Sequence, residues 1–270
     1  MANKIVSILG CGWLGLPLAE HLIRHRFRVK GSTTTPEKLS LLKKSGIEPY
    51  LINCEPQITA DNIKEFLDAD VLFLNIPFRR DLANPETYKE QIEAVLLNLQ
   101  ISPVKFVVFA STTSVYADSN GVVREEDELT GYDARSKVML DVEERLNWDL
   151  QFESTIIRFG GLYGEDRVPG GSAGAIVSSH GDTRVNLVHQ EDAIQIITEI
   201  INLDCRGEVF NACSDEHPTL RELYTAWAKR RGVALPQFAD SGPPRYKLVS
   251  NEKFKRRFSY TYKHPNPLNS

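Results

Sequence analysis

The chain has few residues of the kinds that mark specialised classes of protein. Its 270 residues include only four cysteines, with no C-x-x-C pair and no histidine at metal-ligand spacing. Neither a disulfide framework nor a zinc site is therefore expected. No apolar run approaches the roughly 18 residues that a membrane span needs. The first apolar run, 5–9, is too short for a secretory signal and leads directly into glycines, so we expect a cytoplasmic protein with reduced thiols.

Charge of one sign is not in large excess either. Lys and Arg number 32 and Asp and Glu 36, a formal net charge of −4, which argues against nucleic-acid binding as the main task. With 17 Gly, 14 Pro and 41% hydrophobic residues, collagen, coiled coil and wholesale disorder are excluded. The expected partner is a small-molecule substrate, with no nucleic acid and no membrane.

Short apolar runs alternate with amphipathic segments along most of the chain. Six runs are predicted to be buried strands: 4–9, 28–31, 49–53, 71–76, 105–110 and 154–158. Helix start signals lie between them at Thr35-Pro36 and Asn84-Pro85. Strands buried on both faces and separated by helices predict βαβ units, and therefore an α/β fold with a doubly wound parallel sheet.

The rhythm of the sequence changes after about residue 158. A glycine-rich stretch that includes Pro169-Gly170-Gly171 precedes a predicted helix at 191–203, a strand at 208–212 and a helix at 219–231. We predict a nucleotide-binding domain over 1–165, with a returning helix and strand at about 186–212. Residues 166–185 and 213–270 would form a small lobe. The pattern alone leaves open whether that lobe covers the surface or binds substrate.

The most informative motif is a glycine loop that follows the first predicted strand and opens a helix. It reads Gly10-Cys11-Gly12-Trp13-Leu14-Gly15, the G-x-G-x-x-G pattern in the context that dinucleotide binding requires. The first glycine allows a tight turn, the second lets the backbone approach a pyrophosphate, and the third permits close packing of helix on strand. The helix N-terminus favours the phosphate charge. The loop predicts a Rossmann-type fold that binds NAD or NADP.

The end of the second strand bears on the choice between NAD and NADP. An acidic residue about 20 positions after the glycines would bind the ribose 2′-hydroxyl, but the segment reads Ser32-Thr33-Thr34 and has no carboxylate before Glu37. Hydroxyls and the adjacent Lys38 can accept a 2′-phosphate, so NADP is preferred. Alternatively, these threonines cap the next helix. Asn75-Ile76-Pro77, which ends another strand, is predicted to lie near the cofactor, because ligands bind outside the carboxyl ends of parallel strands.

Hydroxyl side chains follow the strand at 105–110 in the order Ser111-Thr112-Thr113-Ser114. Residues 109–116 resemble the S-[ST]-x-x-V-Y-G segment of extended short-chain dehydrogenases/reductases, the NAD(P)-dependent epimerase/dehydratase superfamily. Further likenesses follow in order at 158–164 (L-R-x-x-x-x-Y-G), 186–192 (H-V-x-D), 207–212 (G-x-x-[YF]-N) and 219–232. The glycine loop and residues 249–253 are most similar to the atypical, YeeZ-like branch. This resemblance implies a Rossmann domain with a C-terminal substrate lobe and a cofactor contact at Ser111.

The resemblance implies a catalytic Ser/Thr and a Y-x-x-x-K motif. Thr112 falls on the first position and Lys137 on the lysine, which also holds the nicotinamide ribose, but the residue four before Lys137 is Asp133 and the nearest tyrosine is Tyr132. Four helical steps leave two side chains about 40° apart and five leave them about 140° apart. Tyr132 therefore serves as the acid only if the helix begins irregularly; alternatively, Asp133 is a helix N-cap.

The sequence supports two functional hypotheses. The first is an oxidoreductase or epimerase that transfers hydride to or from a hydroxylated small molecule, with nucleotide-linked sugars among the candidates. Thr112 would orient the substrate, Lys137 the cofactor ribose, and Tyr132 would be the acid. The second is an NAD(P)-binding redox sensor or scaffold with a degenerate site. Tyr116 and Tyr163 are further candidate acids, and the helices at 85–100 and 131–148 could pair in a homodimer or simply cover the sheet of a monomer.

Overall fold

The computed structural model describes residues 4–60, 62–79, 84–167, 176–177, 179–239 and 242–269. Its strands in the first half are β1 (Ile5–Leu9), β2 (Arg28–Thr33), β3 (Glu48–Cys54), β4 (Ile58–Ala60), β5 (Val71–Leu74), β6 (Phe106–Thr112) and β7 (Val122–Val123). Those in the second half are β8 (Glu153–Phe159), β9 (Gly161–Tyr163), β10 (Ile176–Val177), β11 (Leu187–His189), β12 (Val209–Ala212), β13 (Gln237–Phe238) and β14 (Leu248–Val249).

The α-helices are α1 (Gly15–Arg24), α2 (Leu39–Lys44), α3 (Ile63–Phe66), α4 (Glu86–Leu99), α5 (Ala134–Asn147), α6 (Gln190–Asn202), α7 (Leu220–Arg231) and α8 (Glu252–Phe258). Short 3₁₀ turns cover Pro36–Lys38 and Thr113–Val115. Within the described ranges, every helix is too short or too polar to cross a bilayer.

Eight of the described strands form one sheet in the order β12-β8-β6-β5-β1-β2-β3-β4. The pairs β1–β2, β1–β5, β2–β3 and β5–β6 are parallel, and the short β4 runs antiparallel to β3. The N–H groups of Ile156, in β8, and of Gly160, just after it, donate hydrogen bonds to the carbonyl oxygens of Glu208 and Ala212. The donors and the acceptors both advance by four residues in the same direction, as in a parallel pair. The predicted α/β, Rossmann-type parallel sheet is confirmed.

The central strands are apolar on both faces because helices cover both sides of the sheet. Val6 and Ile8 of β1 and the whole of β5 are at most 1% exposed. The helices bury their apolar side chains. These are Leu18 and Leu22 of α1, with Leu14 just before it, and Tyr88, Ile92, Val95, Leu96 and Leu99 of α4.

The helix predicted to begin at Thr35-Pro36 is divided. Thr35 precedes the 3₁₀ turn with an extended backbone, and α2 begins only at Leu39. Gly46 follows with φ of +80°. The C-terminal stop predicted for the 219–231 helix is confirmed, because Gly232 caps α7 in the left-handed conformation at φ +63°, which glycine adopts without steric strain.

The chain divides into two compact units. The first contains 1–111, 131–157 and 196–209; the second contains 112–130, 158–195 and 210–270. In the second unit, Tyr163, Leu187, Leu223 and Trp227 form a buried apolar cluster. These boundaries differ from the predicted scheme of 1–165 with 186–212, because residues 112–130, 158–165, 186–195 and 210–212 belong to the second unit. Of the segment 166–185 predicted for the small lobe, residues 168–175 and 178 lie outside the described residues.

Candidate functional site

The glycine loop joins β1 to α1 within the first unit, and its backbone is held from two neighbouring strands. Gly10 has φ of +112°, and a Cβ atom there would lie 2.5 Å from the Asn75 carbonyl oxygen. The Asn75 side-chain amide donates to the Gly10 carbonyl at 3.0 Å, and the Gly10 N–H donates to the Ser32 Oγ at 2.9 Å. The ends of β2 and β5 therefore fix the turn.

The remaining two glycines meet opposite surroundings. A Cβ on Gly15 would lie 2.2 Å from the Gly10 carbonyl oxygen, whereas one on Gly12 would have no described atom within 4 Å. Trp13 is half-buried and Leu14 is 4% exposed, so the Leu14 side chain belongs to the core. Among the described residues, no side chain caps the N-terminus of α1, and the first turn of this helix contains no acidic residue. The loop therefore fits a pyrophosphate group, which needs close backbone approach and free positive charge.

The three hydroxyl residues after β2 have different environments. Ser32 is 2% exposed and its Oγ accepts from the loop, while Thr33 is 8% exposed and its Oγ1 accepts from the Thr35 N–H at 3.1 Å. Thr34 is exposed. Of the three residues predicted to contact cofactor, Thr34 alone presents its side chain at the surface, and Ser32 instead supports the turn of the glycine loop.

The segment after β5 combines a support for the loop with an aromatic cluster. Asn75 and Ile76 are half-buried and Pro77 is exposed. The Ile76 carbonyl accepts from the Tyr88 hydroxyl at 3.1 Å, and Phe78 stacks on the Tyr88 ring with centroids 4.6 Å apart. The segment is therefore held against α4. The segment adjoins the glycine loop, because Asn75 bonds to Gly10, and its contact with the cofactor stays a prediction.

The end of β6 places its hydroxyls in two directions. Ser111 is 4% exposed, and its Oγ donates to the carboxylate of Glu143, a residue of α5 that is itself 3% exposed. Thr112 is half-buried and begins the second unit, where its Oγ1 accepts from the Ser114 N–H at 3.1 Å. The Ser111 side chain therefore faces α5. Its role in cofactor binding stays a prediction.

The start of α5 answers how Tyr132 and Lys137 are arranged. Asp133 is the N-cap: its Oδ1 accepts from the Ser136 N–H at 2.7 Å, and the Ser136 hydroxyl accepts from the Asp133 N–H at 3.0 Å. This reciprocal pair is a capping box, and the alternative reading of Asp133 as a cap is confirmed. Tyr132 lies outside the helix and is 51% exposed; Lys137 is an exposed residue of its first turns.

Tyr116, one of the further candidate acids, is enclosed by polar partners. Its hydroxyl accepts from Arg158 at 2.8 Å and donates to the Asn211 Oδ1 at 2.9 Å, and the residue is 1% exposed. Burial raises the pKa of Tyr116 to about 12, against the lowering effect of the Arg158 charge. A buried phenol with both hydrogen-bonding positions used is a poor candidate for proton transfer to a substrate.

A pocket of about 800 Å³ lies within the second unit. Its lining combines aromatic, basic and acidic side chains, and includes Tyr163, His189, Glu191, Trp227, Arg230 and His264. Burial and the neighbouring His264 lower the pKa of His189, while the Lys263 and His264 partners hold the pKa of Glu191 at about 2. His189 lies near the start of a predicted helix, and no local spacing in the sequence links it to His264, which is 75 positions away.

Comparison with solved structures shows the same fold in proteins of low sequence identity. A conserved protein from Silicibacter pomeroyi has a TM-score of 0.76 at 22% identity, over 98% of this chain and 96% of that one. UDP-glucuronic acid 4-epimerase from Bacillus cereus, solved in complex with UDP-glucuronic acid and NAD, has a TM-score of 0.76 at 17% identity over the same shares. No family model matches the sequence.

A curated relative gives the decisive match. Protein YeeZ of Escherichia coli K12 is 32% identical over 270 residues, which cover 98% of each chain. The chain belongs to the YeeZ family. The predicted resemblance to this branch is therefore confirmed, and the solved structures share the fold that the short-chain dehydrogenase/reductase resemblance implies. The chain contains the glycine loop and Lys137, and the capping Asp133 stands at the position that a Y-x-x-x-K motif gives to its tyrosine.

Proposed function

We propose that this protein binds NAD(P) at the glycine loop and catalyses epimerase-like hydride transfer on a hydroxylated small molecule, with nucleotide sugars as the first candidates. The observation that carries the proposal is the contrast within the loop. Gly15 is required by packing, while Gly12 leaves the space that a pyrophosphate would occupy. The sugar nucleotide and NAD in the Bacillus cereus epimerase support this choice of candidate substrates.

The proposed roles follow the family pattern. When bound, the nicotinamide supplies the hydride chemistry. Lys137 would hold the ribose and Thr112 would orient the substrate hydroxyl, with Ser111 contributing its backbone. Tyr132 would move the proton, and its position before the N-cap gives it freedom that a helical residue lacks.

One observation favours the alternative of an NAD(P)-binding protein without turnover, acting as a redox sensor or scaffold. The capping box makes Asp133 the N-cap of α5. Asp133 therefore occupies the position four before Lys137, and Tyr132 lies five residues before that lysine, outside the helix. Ionised aspartate is a poor proton donor at neutral pH. Under this alternative the protein binds the coenzyme and exchanges no hydride.

The preferred coenzyme is NADP. Thr34 is exposed at the end of β2, Lys38 is exposed in the following turn, and no acidic residue precedes Glu37 in this segment. A carboxylate at this position would repel a 2′-phosphate, whereas a hydroxyl and an ammonium group attract it. Replacing Thr34 with Asp should therefore reverse the preference toward NADH.

The assembly is a monomer or a homodimer. Within the first unit, α4 and α5 are joined by a 3.0 Å ion pair between Lys89 and Asp141 and by a 3.4 Å pair between Glu93 and Arg145. Leu97 of α4 is 71% exposed, an apolar side chain that a second copy would cover. Sedimentation of the wild type and of Leu97→Lys would distinguish the two states.

The test begins with binding. Pure protein is titrated with NADPH and with NADH while protein and nucleotide fluorescence are followed, and saturable binding is expected for at least one. The absence of any signal with both would overturn the proposal. A panel of nucleotide sugars is then examined by NMR for interconversion. Lys137→Met should lower turnover at least about 100-fold, while Lys64→Met, another exposed lysine of the first unit, should not. Binding without exchange on any substrate would favour the sensor alternative.

A further inference from the structure

Two histidines and one carboxylate converge in the second unit. His189 ends β11, Glu191 lies in the first turn of α6, and His264 is in the C-terminal segment. One ligand atom from each of the three lies within 4.8 Å of the others. The His264 Nε2 is 2.7 Å from the Glu191 Oε2, and the His189 Nδ1 is 4.0 Å from the same oxygen. Their donor atoms therefore surround one small volume.

A buried carboxylate holds the segment of His264 against the start of α6. Asp192 is completely buried, and its carboxylate accepts from the Tyr260 hydroxyl at 2.7 Å and from the Lys263 and His264 N–H groups at 2.8 and 2.9 Å. These three bonds fix the C-terminal segment to the start of α6. The His189 and His264 rings consequently lie 3.6 Å apart, centroid to centroid.

A cationic group already lies at this carboxylate. The Lys263 ammonium is 2.7 Å from the Glu191 Oε2, and the Lys263 side chain is 68% exposed. An exposed ion pair of this kind contributes little stability, so a divalent ion can displace the ammonium into solvent. The His189 Nδ1 also accepts from the Glu191 N–H, but at 3.2 Å, a long bond that coordination would replace.

We propose that His189, Glu191 and His264 form a binding site for a first-row divalent transition metal, of which Zn²⁺ is the best match. Two imidazoles and a carboxylate are a ligand set that zinc takes when it keeps a position open for a further ligand. Zinc–ligand bonds of about 2.0–2.2 Å place the donor atoms of a tetrahedral site about 3.4 Å apart. The His189 Nδ1 and Glu191 Oε2 must therefore approach from 4.0 Å, and the His264 Nε2 and Glu191 Oε2 must separate from 2.7 Å. Glu191 can supply this movement, because its side chain is 48% exposed.

The open coordination position would face the pocket of about 800 Å³, which all three residues line. Arg230 and Trp227 line the same pocket, so the further ligand would be an oxygen donor such as a carboxylate or phosphate. The glycine loop belongs to the other unit, and the proposed metal site does not depend on the coenzyme chemistry.

The test is a titration of the full-length, chelator-treated protein with Zn²⁺ alone, followed by calorimetry. One ion per chain is expected. Glu191→Gln and His264→Gln should each weaken binding at least tenfold, whereas Lys263→Gln should strengthen it severalfold because the competing ammonium is gone. That gain cannot arise from misfolding. Circular dichroism and NADPH binding check that the variants fold.

The matched control uses the other histidine pair of the described chain. His21 of α1 and His25, the C-cap of that helix, stack with ring centroids 4.2 Å apart, and neither is a proposed ligand. His25→Gln should leave the Zn²⁺ affinity unchanged. The proposal is overturned by the absence of stoichiometric binding, by unchanged affinity in Glu191→Gln and His264→Gln, by a loss confined to His25→Gln, or by no gain in Lys263→Gln.

Discussion

A Cβ atom on Gly15 would lie 2.2 Å from the carbonyl oxygen of Gly10, which belongs to the same loop. Three residues before Gly15, a Cβ on Gly12 would meet no atom of the described chain within 4 Å. The two glycines are thus required for different reasons. Gly15 allows the helix to begin beside the strand, and Gly12 keeps clear the approach to the backbone.

This contrast predicts that stability and coenzyme binding can be separated. Gly12→Val should retain the unfolding midpoint of the wild type and weaken NADPH binding at least tenfold. Gly15→Ala should lower the free energy of unfolding by about 1–3 kcal/mol through overpacking and also weaken binding. Urea unfolding and fluorescence titration measure the two quantities. Equal NADPH affinity in Gly12→Val and wild type would contradict the proposed position of the pyrophosphate.

The capping role of Asp133 predicts a loss of stability when its side chain is removed. Asp133→Ala should lower the free energy of unfolding by about 1 kcal/mol, because the Ser136 N–H loses its acceptor. Asp133→Asn keeps an oxygen acceptor and should remain close to wild type. If Asp133 instead donated the catalytic proton, Asp133→Asn would lose turnover while keeping its stability.

The buried pair of Ser111 and Glu143 predicts a larger loss. Ser111→Ala removes a donor from a carboxylate that is 3% exposed, and should lower the free energy of unfolding by about 1–3 kcal/mol. The matched control is Ser119→Ala, since Ser119 is an exposed serine, and little change is expected. Comparable unfolding midpoints for the two variants would show that the hydroxyl does not support the Glu143 carboxylate.

Glu125 predicts a specific dependence of stability on pH. Burial raises its pKa above the ordinary value of 4.5, although its carboxylate accepts from the Asn211 N–H. A group whose folded pKa is raised contributes stability below its unfolded pKa, and that contribution is lost as the pH rises through the folded pKa. The stability of wild type relative to Glu125→Gln should therefore fall from about pH 4 to pH 7. Urea unfolding across this range measures it.

The control for this prediction is Glu126→Gln, because Glu126 is the exposed neighbour. Its stability difference from wild type should vary less with pH than that of Glu125→Gln. A pH-independent difference for Glu125→Gln would mean that the folded protein does not shift the titration of this carboxyl group.

Local patterns predicted the fold well because the strands are buried on both faces. All six predicted apolar runs correspond to strands β1, β2, β3, β5, β6 and β8, with ends shifted by a few residues. The glycine loop was equally accessible, since the close contact between Gly15 and Gly10 lies within the motif itself. The capping of α5 by Asp133 also depended only on neighbouring residues.

Contacts between residues that are far apart in the sequence could not be predicted from local patterns. The hydroxyls at the end of the second strand predicted a cofactor contact at Ser32, and the family resemblance implied one at Ser111; in the structure the two side chains bond to Gly10 and Glu143. Which partner a hydroxyl finds depends on elements that pattern reading does not bring together. The convergence of His189 with His264 depends on Asp192 and a segment about 70 positions later, and no local spacing reports it.

The alternation of the chain between the two units has a consequence for synthesis on the ribosome. The polypeptide passes from one unit to the other at 111, 130, 157, 195 and 209, and β12, an outer strand of the large sheet, begins only at Val209. Domains generally fold as units during translation, but here neither unit is a continuous segment. The nascent chain must therefore keep both partly built cores soluble until more than three quarters of its length has been synthesised.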